Sequence, residues 1–574
     1  MNEAISAFSP VEKVLFWIFA AIFAFSALTL LYKANDLFMI DVPTNGGELV
    51  EGIIGTPHLA NPLFAISEAD KDIDALIYAA LMKPNGTGKL VPEVAESYTV
   101  SEDGKTYTFT LKDGITFHDG EDLTADDVEF TIRKAVDPAV KSPKRANWEG
   151  VTIEVLNPKQ IKFTLRQPYA GFLESTTLGI LPKHLWKNLD PEQFAFSEYN
   201  AQPIGAGPFV FSEVQKNKLG VPTSYTFVPF KNYTAGKPLI SKLTFIFYPS
   251  EDALIEAYGV DEIESINTLS PQKAGYVKKT NALIQQAALP RIFGLFFNQS
   301  QNVVFTQKEV RTALDMAVDR NEIISSVLSG YGTQLTGPIP PIFMTATSTT
   351  AGANNASSTS DLEGAKKLLT KNGWKLNKDG ILAKTVKKTT YTLSFSISTA
   401  NSEDLVKTAQ LLKKQWEMLG AKIEIKTSEQ GELTQATLRP RKYDSLLFGE
   451  VIGRDLDPYA FWHSSQRNDP GLNIALYTNA KADKALEQYR SEADPAKRQQ
   501  LLQNFQTEVA KDQPAIFLYS PTFLYLIPDK MKNVLITKIT DPSERFANIE
   551  QWYVNTERVW NIDWFTKNMA LIRQ

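Results

Sequence analysis

The longest feature of the hydropathy pattern is a run of 19 residues without a charge, Val14 to Tyr32 (VLFWIFAAIFAFSALTLLY), between Lys13 and Lys33. As a helix it extends about 28 Å, close to the ~30 Å apolar thickness of a bilayer. A buried helix of a globular domain normally shows a polar face, and this run shows none. A cleaved signal peptide is the rival reading. Its apolar stretch is usually shorter and ends in a small-x-small site, whereas here the run ends in Leu30-Leu31-Tyr32. The pattern predicts an uncleaved transmembrane anchor over 14–32, after a tail at 1–13. A spacer at 33–47 follows, with Pro43, Asn45, Gly46 and Gly47 as breakers.

Beyond residue 47 the pattern becomes that of a mixed α/β body. Glu48 to Ile54 reads as a strand, and Ile73, Ile77, Ala80 and Leu81 fall at helical spacing. Tyr107, Phe109 and Leu111 alternate with Thr108 and Thr110, the period of a half-buried strand. Asp103-Gly104, Asp113-Gly114 and Asp119-Gly120 mark turns around it. Thr124 is placed to cap a helix with Asp126 and Asp127 in its first turn. Val128, Ile132, Ala135 and Val136 form its apolar face, and Pro138 stops it. Further on, Leu393, Phe395 and Ile397 alternate as a strand. Ser402 caps a helix with Leu405, Ala409, Leu412, Trp416 and Leu419 on one face, Gly420 ends it, and Ile423 and Ile425 begin a second strand. That is a βαβ unit with parallel strands. Tyr443 to Phe448 supplies another strand, followed by the loop Gly449 to Ser465, GEVIGRDLDPYAFWHSS. Ligands of open α/β sheets sit outside the carboxyl ends of strands, so this loop is the first place to seek contacts.

A chain of 574 residues exceeds one hydrophobic core, and 43% hydrophobic with 22% charged residues is ordinary for a folded protein. The net charge of −5 and the lack of a basic stripe point away from nucleic acid. There is no Cys, which excludes disulfides, thiolate metal ligands and thiol catalysis. Residues 345–360 are polar and of low complexity, and no internal repeat is evident. No G-x-S-x-G, H-E-x-x-H or phosphate-cradling G-x-x-x-x-G-K occurs, and no carboxylate pair stands out for glycoside hydrolysis. The four histidines, His58, His118, His184 and His463, show no metal-binding spacing. The carboxylates from Asp119 to Asp127 do not fit a calcium loop and read as a capped helix start. The chain is read as a non-enzyme without a cofactor.

The segment Leu90 to Pro138 resembles the signature of the extracytoplasmic solute-binding proteins of ABC importers, family five, the peptide- and nickel-binding class. The matching residues are Pro92, Ala95 to Ser97, Val100, Ser101, Asp103, Gly104, Thr106 to Phe109, Leu111, Gly114, Phe117 to Gly120, Leu123 to Ala125, Asp127, Val128 and Phe130. PIGAGPFVFSE at Pro203 to Glu213 resembles the family's interdomain crossing. Phe297-Asn298, Val310 to Arg320, Gly337 to Pro341 and Arg545 to Tyr553 resemble later family segments.

The resemblance implies a two-lobed periplasmic-binding-protein-like α/β fold, type II and cluster C, with an extra subdomain, here behind an N-terminal transmembrane helix. Lobe I is expected from 48–90, 204–290 and 520–574, the subdomain from 91–203 and lobe II from 291–519. The implied role is capture of di- or oligopeptides between the lobes and delivery to ABC permease and ATPase subunits, by a monomer. One Lys on each side of the anchor leaves its orientation open, and the resemblance puts the body on the extracytoplasmic side. With no Cys to acylate, the helix is the tether to the cell membrane.

In relatives an Asp a few residues before a Pro pairs the peptide amine. It often stands four residues before, where this chain has Arg454, so either the loop is one residue shorter and Asp455 takes the role here, or the amine anchor is absent and the ligand differs. Backbone at Ile54-Gly55-Thr56 and Ile452-Gly453 is implied in main-chain pairing with the ligand, in the manner of an added strand. Asp457, Trp462 and His463 complete the implied ligand-binding set, with Tyr459 and Phe461 as further aromatic walls. For Asp455 and Asp457 the competing reading is a turn cap next to Pro458, and for the aromatics it is core packing. A nickel chelate or an oligosaccharide is the alternative ligand. An exported hydrolase or a ligand sensor on this fold is the alternative class.

Overall fold

The computed structural model describes residues 9–169, 171–277, 282–343, 360–386, 388–454, 456–492 and 494–560. The apolar run lies within a 29-residue helix, Pro10–Phe38. It begins earlier than the uncharged stretch because Ser9 and Glu12 close a capping box around Pro10 at the first helical position. The span Pro10–Lys33 has a mean hydropathy of 2.5, and none of its apolar window is buried in protein. Where breakers predict a spacer, Met39–Thr44 is a strand paired antiparallel with Asn555–Trp560. Arg558 reaches back to Asp36 at 2.6 Å. A partner some 500 residues away overrides the local turn signals.

One 12-stranded sheet runs through the body. Its spine is the 14-residue strand Ala515–Pro528. Ala515 to Tyr519 pair with the strand Arg291–Phe297, and Thr522 to Pro528 pair with Ala282–Ala288. Side chains pack on either side of that change of partner. One large core draws its buried members from Ile292 to Tyr519, and the other from Leu49 to Leu289 and Phe523 to Trp552. The chain passes between these two lobes at Leu289–Pro290 and again at Ser520–Pro521. Two adjacent strands crossing side by side are a bendable connection between rigid cores.

In lobe II the βαβ unit forms as its periodicity predicts. Ser394–Ala400 and Lys422–Ser428 are parallel, joined by the helix Glu403–Leu419, which Gly420 ends at φ 101°. The strand Ser445–Val451 lies beside them. The signature meander forms a separate four-stranded antiparallel sheet from Ala95–Val100, Thr106–Leu111, Gln160–Thr164 and Thr152–Asn157. Tyr107, Phe109 and Leu111 point inward, as the alternation requires, and their packing is continuous with the core of lobe I. Thr124 and Asp127 cap the helix Ala125–Val136.

Two family motifs meet at His118. Its backbone N–H donates to Gly205 O at 2.8 Å. Its Nδ1 accepts from Gly205 N–H at 3.3 Å, which leaves Nε2 to donate to Gly207 O at 3.1 Å. Gly205 and Gly207 press against the end of the helix Glu68–Ile77. A β-carbon at Gly207 would stand 2.6 Å from Leu76 O. The meander, the crossing loop and that helix are thereby locked together.

Candidate ligand-binding site

A cavity of about 390 Å³ opens beside the helix Glu68–Ile77. That helix contributes Lys71 and Asp74, and Tyr78 follows it. The subdomain contributes Lys144, Trp148 and Glu174, and the C-terminal return contributes Asp541, Glu544 and Phe546. Ser67 caps the helix through Asp70 N–H, and Asp70 in turn accepts the N–H groups of His58 and Leu59 at 2.7 and 2.9 Å. Beneath the cavity wall lies a fully buried cluster in which Arg545 pairs Glu51 and Asp72, each at 2.6 Å.

Among the described residues lobe II adds one to this cavity, Arg454. Its guanidinium donates to Glu174 at 3.1 Å, to Gly88 O at 2.9 Å and to Glu544. All three acceptors belong to the opposite side of the molecule, and Arg454 is 7% exposed. A charge buried to this degree needs its partners. Desolvation works against the cation, yet Glu544 and Glu174 hold the Arg454 pKa above its ordinary value. Arg454 is therefore a cation committed to joining the lobes.

The other expected contacts are dispersed. Ile54 ends the strand Glu48–Ile54, and Gly55 turns there at φ 85° with its N–H donated to Tyr248 O at 2.8 Å. Gly55 is exposed, with no atom within 4 Å of where a β-carbon would sit, and Thr56 is half-buried beside it. Ile452 has a buried side chain and donates its N–H to Pro290 O at 2.8 Å, while Gly453 is exposed. None of these five residues lines the cavity. Asp455 lies outside the described residues.

Asp457 accepts from Tyr459 N–H at 3.2 Å and pairs Arg490 at 2.6 Å, and Arg490 stacks over the Tyr459 ring at 4.0 Å. It is a turn cap with an ion-pair partner, so its carboxylate is already satisfied. Trp462, expected as a ligand wall, is 0% exposed and packs in the core of lobe II against Phe296, Tyr477, Phe505 and Phe517. An apolar ring next to a Pro-terminated turn gains more from that core than from a wet cleft. His463 stacks on Tyr459 at 4.1 Å, with Nδ1 2.8 Å from Ser465 Oγ and Nε2 3.3 Å from Glu487. Among the described residues no group of three or more His, Asp or Glu is placed to hold a metal ion.

The charged lining residues Asp74, Lys144, Glu174 and Glu544 are not distinguishable by spacing. The faint signal is the acidic run Glu68, Asp70, Asp72 and Asp74, which is denser than a helix start needs.

Residues 89–473 match the bacterial extracellular solute-binding proteins, family 5 Middle. The chain is 29% identical over 528 residues to the oligopeptide-binding protein AppA of Bacillus subtilis, covering 89% of this chain and 92% of that protein. It is 27% identical to the nickel-binding periplasmic protein of Escherichia coli over 87% of this chain and 91% of that protein. Among solved structures, AppA in complex with a nonapeptide aligns with a TM-score of 0.68 at 28% identity, over 90% of this chain and 100% of that one. The ABC transporter substrate binding protein CtaP of Listeria monocytogenes aligns with a TM-score of 0.74 at 27% identity, over 89% and 100%. With signature, lobes and crossing strands in agreement, this chain belongs to the extracellular solute-binding proteins of family 5.

Proposed function

We propose that this protein is a membrane-anchored extracytoplasmic receptor that captures short peptides between its lobes and delivers them to an ABC permease. The observation that carries this reading is the cavity of about 390 Å³ with Arg454 of lobe II inserted into an otherwise lobe I and subdomain lining. Such an arrangement encloses a solute when the lobes meet and releases it when they part. Peptide is favoured over a nickel chelate because the cavity carries both carboxylates and ammonium groups, the counterparts of a peptide's two charged ends. Binding occurs without turnover, and ATP is hydrolysed by the partner subunits. The receptor acts as a monomer. The helix Pro10–Phe38, with its apolar faces exposed, is an uncleaved single-pass tether, and the antiparallel ribbon of Met39–Thr44 with Asn555–Trp560 sets the body on it.

Native mass spectrometry of the full chain in detergent, followed by calorimetry with a peptide library, tests this reading. Saturable binding of unmodified peptide supports it. Release of a cleaved product, or no peptide binding at all, overturns it. N-terminal sequencing of the mature protein tests the tether, since a chain beginning after residue 33 contradicts it.

A further inference from the structure

The charged groups lining the cavity are almost all paired with one another. Lys71 bonds Asp541 at 2.7 Å and Glu68 at 3.1 Å. Lys83 bonds Glu550 at 3.2 Å, and Glu93 accepts from the Tyr233 hydroxyl at 2.5 Å and from Ala80 N–H at 2.7 Å. Glu174 and Glu544 are taken by Arg454. One acidic and one basic side chain remain. Asp74 Oδ1 is buried and accepts no hydrogen bond among the described residues. Lys144 lines the same cavity, and no ion pair joins it to Asp74 or to any other described residue.

We propose that Asp74 and Lys144 form a two-point site for a short zwitterionic ligand, Asp74 taking its free ammonium and Lys144 its free carboxylate. This deepens the peptide reading and rests on it. It places the amine anchor on the helix Glu68–Ile77 of lobe I rather than at Arg454 in the loop of lobe II, which is a cation already paired with Glu174 and Glu544. The physical logic is one of unmet need. A carboxyl oxygen out of water with no donor is costly, and an arriving ammonium supplies the donor and the opposite charge together. Burial holds the Asp74 carboxyl well above the usual carboxylate range, Asp70 adds to that push and Lys144 opposes it. The position of the helix is fixed by Gly205 and Gly207 packed on its end, so Asp74 is presented on a rigid element. The same cavity has apolar walls from Tyr78, Trp148 and Phe546. A volume of about 390 Å³ lies toward the small end of the ~300–1,000 Å³ typical of ligand pockets, which suits a ligand of a few residues.

The test is calorimetry of the full chain in detergent micelles with di- and tripeptides bearing apolar side chains, each with free ends, N-acetylated or C-amidated. The wild-type protein is expected to bind the free peptides at least about tenfold more tightly than either blocked form. Asp74→Asn should abolish discrimination against acetylation only, and Lys144→Gln discrimination against amidation only, with Asp74→Glu partly restoring the first. Unchanged melting curves for the variants keep these readings free of misfolding. If the wild type binds free peptides while both variants keep full discrimination, the two-point site is wrong and the peptide reading stands. If no peptide of any form binds, the peptide reading itself fails.

Discussion

Arg545 shows what a single buried charge asks of its neighbours. It is fully buried against Glu51 and Asp72, and the Tyr525 hydroxyl donates to Glu51 at 2.7 Å. Burial pushes the Asp72 carboxyl up to about 6, and only the pull of Arg545 keeps it from rising further. Removing one member leaves uncompensated charge in a dry site. Arg545→Met is therefore expected to lose about 3–5 kcal/mol of stability, measured by chemical denaturation. A loss below about 1 kcal/mol contradicts this account. Glu450 is the converse case. It is 3% exposed, neither carboxyl oxygen has a hydrogen-bond partner among the described residues, and burial holds its pKa well above 4.5. With the folded pKa raised, its stability contribution is fully present below about pH 4.5 and is lost as pH rises through the folded value. Glu450→Met should thus stabilise by about 1–3 kcal/mol at pH 7, with a smaller gain at pH 5. A gain that does not grow with pH rules out this explanation.

At the scale of elements, the alternation at Tyr107, Phe109 and Leu111 and the cap at Thr124 are read directly from the sequence, because strand and helix periods are local. How elements dock is less legible. His118 appears in the sequence only as part of a motif, yet it ties the meander to the crossing loop through Gly205 and Gly207. Burial lowers its pKa from 6.5 to about 4, against the opposing bond to Gly207. The folded state therefore prefers the neutral ring. Stability is complete above pH 6.5 and declines as pH falls toward 4, by at most about 3 kcal/mol from this one group. Melting curves of wild type and His118→Gln between pH 7 and 4 should show the variant's acid sensitivity reduced. Parallel pH profiles count against the role of His118.

For the molecule as a whole, the decisive contact is Arg454. It crosses from lobe II to Glu174, Gly88 and Glu544, so it favours the joined arrangement even without solute. Charge-assisted hydrogen bonds of this kind are worth about 1.5–3 kcal/mol each. Arg454→Ala is expected to give the ligand-free protein a measurably larger radius of gyration by solution scattering. It should also weaken solute binding by about tenfold, since the competent closed population falls. Identical scattering and affinity show that Arg454 does not govern closure.

The chain by itself determined the apolar run that spans residues 14–32, the capped helices, the meander, the βαβ unit and the family to which they belong. Each of these is written in periods of two or 3.6 residues, or in motifs of fixed spacing, and needs no distant partner to be recognised. Tertiary structure alone decided the rest. It paired Met39–Thr44 with Asn555–Trp560, sent Trp462 into the core instead of the cleft, and set Arg454 between two glutamates. It also left Asp74 and Lys144 as the acid and base of the cavity that no ion pair takes up among the described residues. A charge or a strand edge is defined by what meets it, and across several hundred residues only the fold brings the two together.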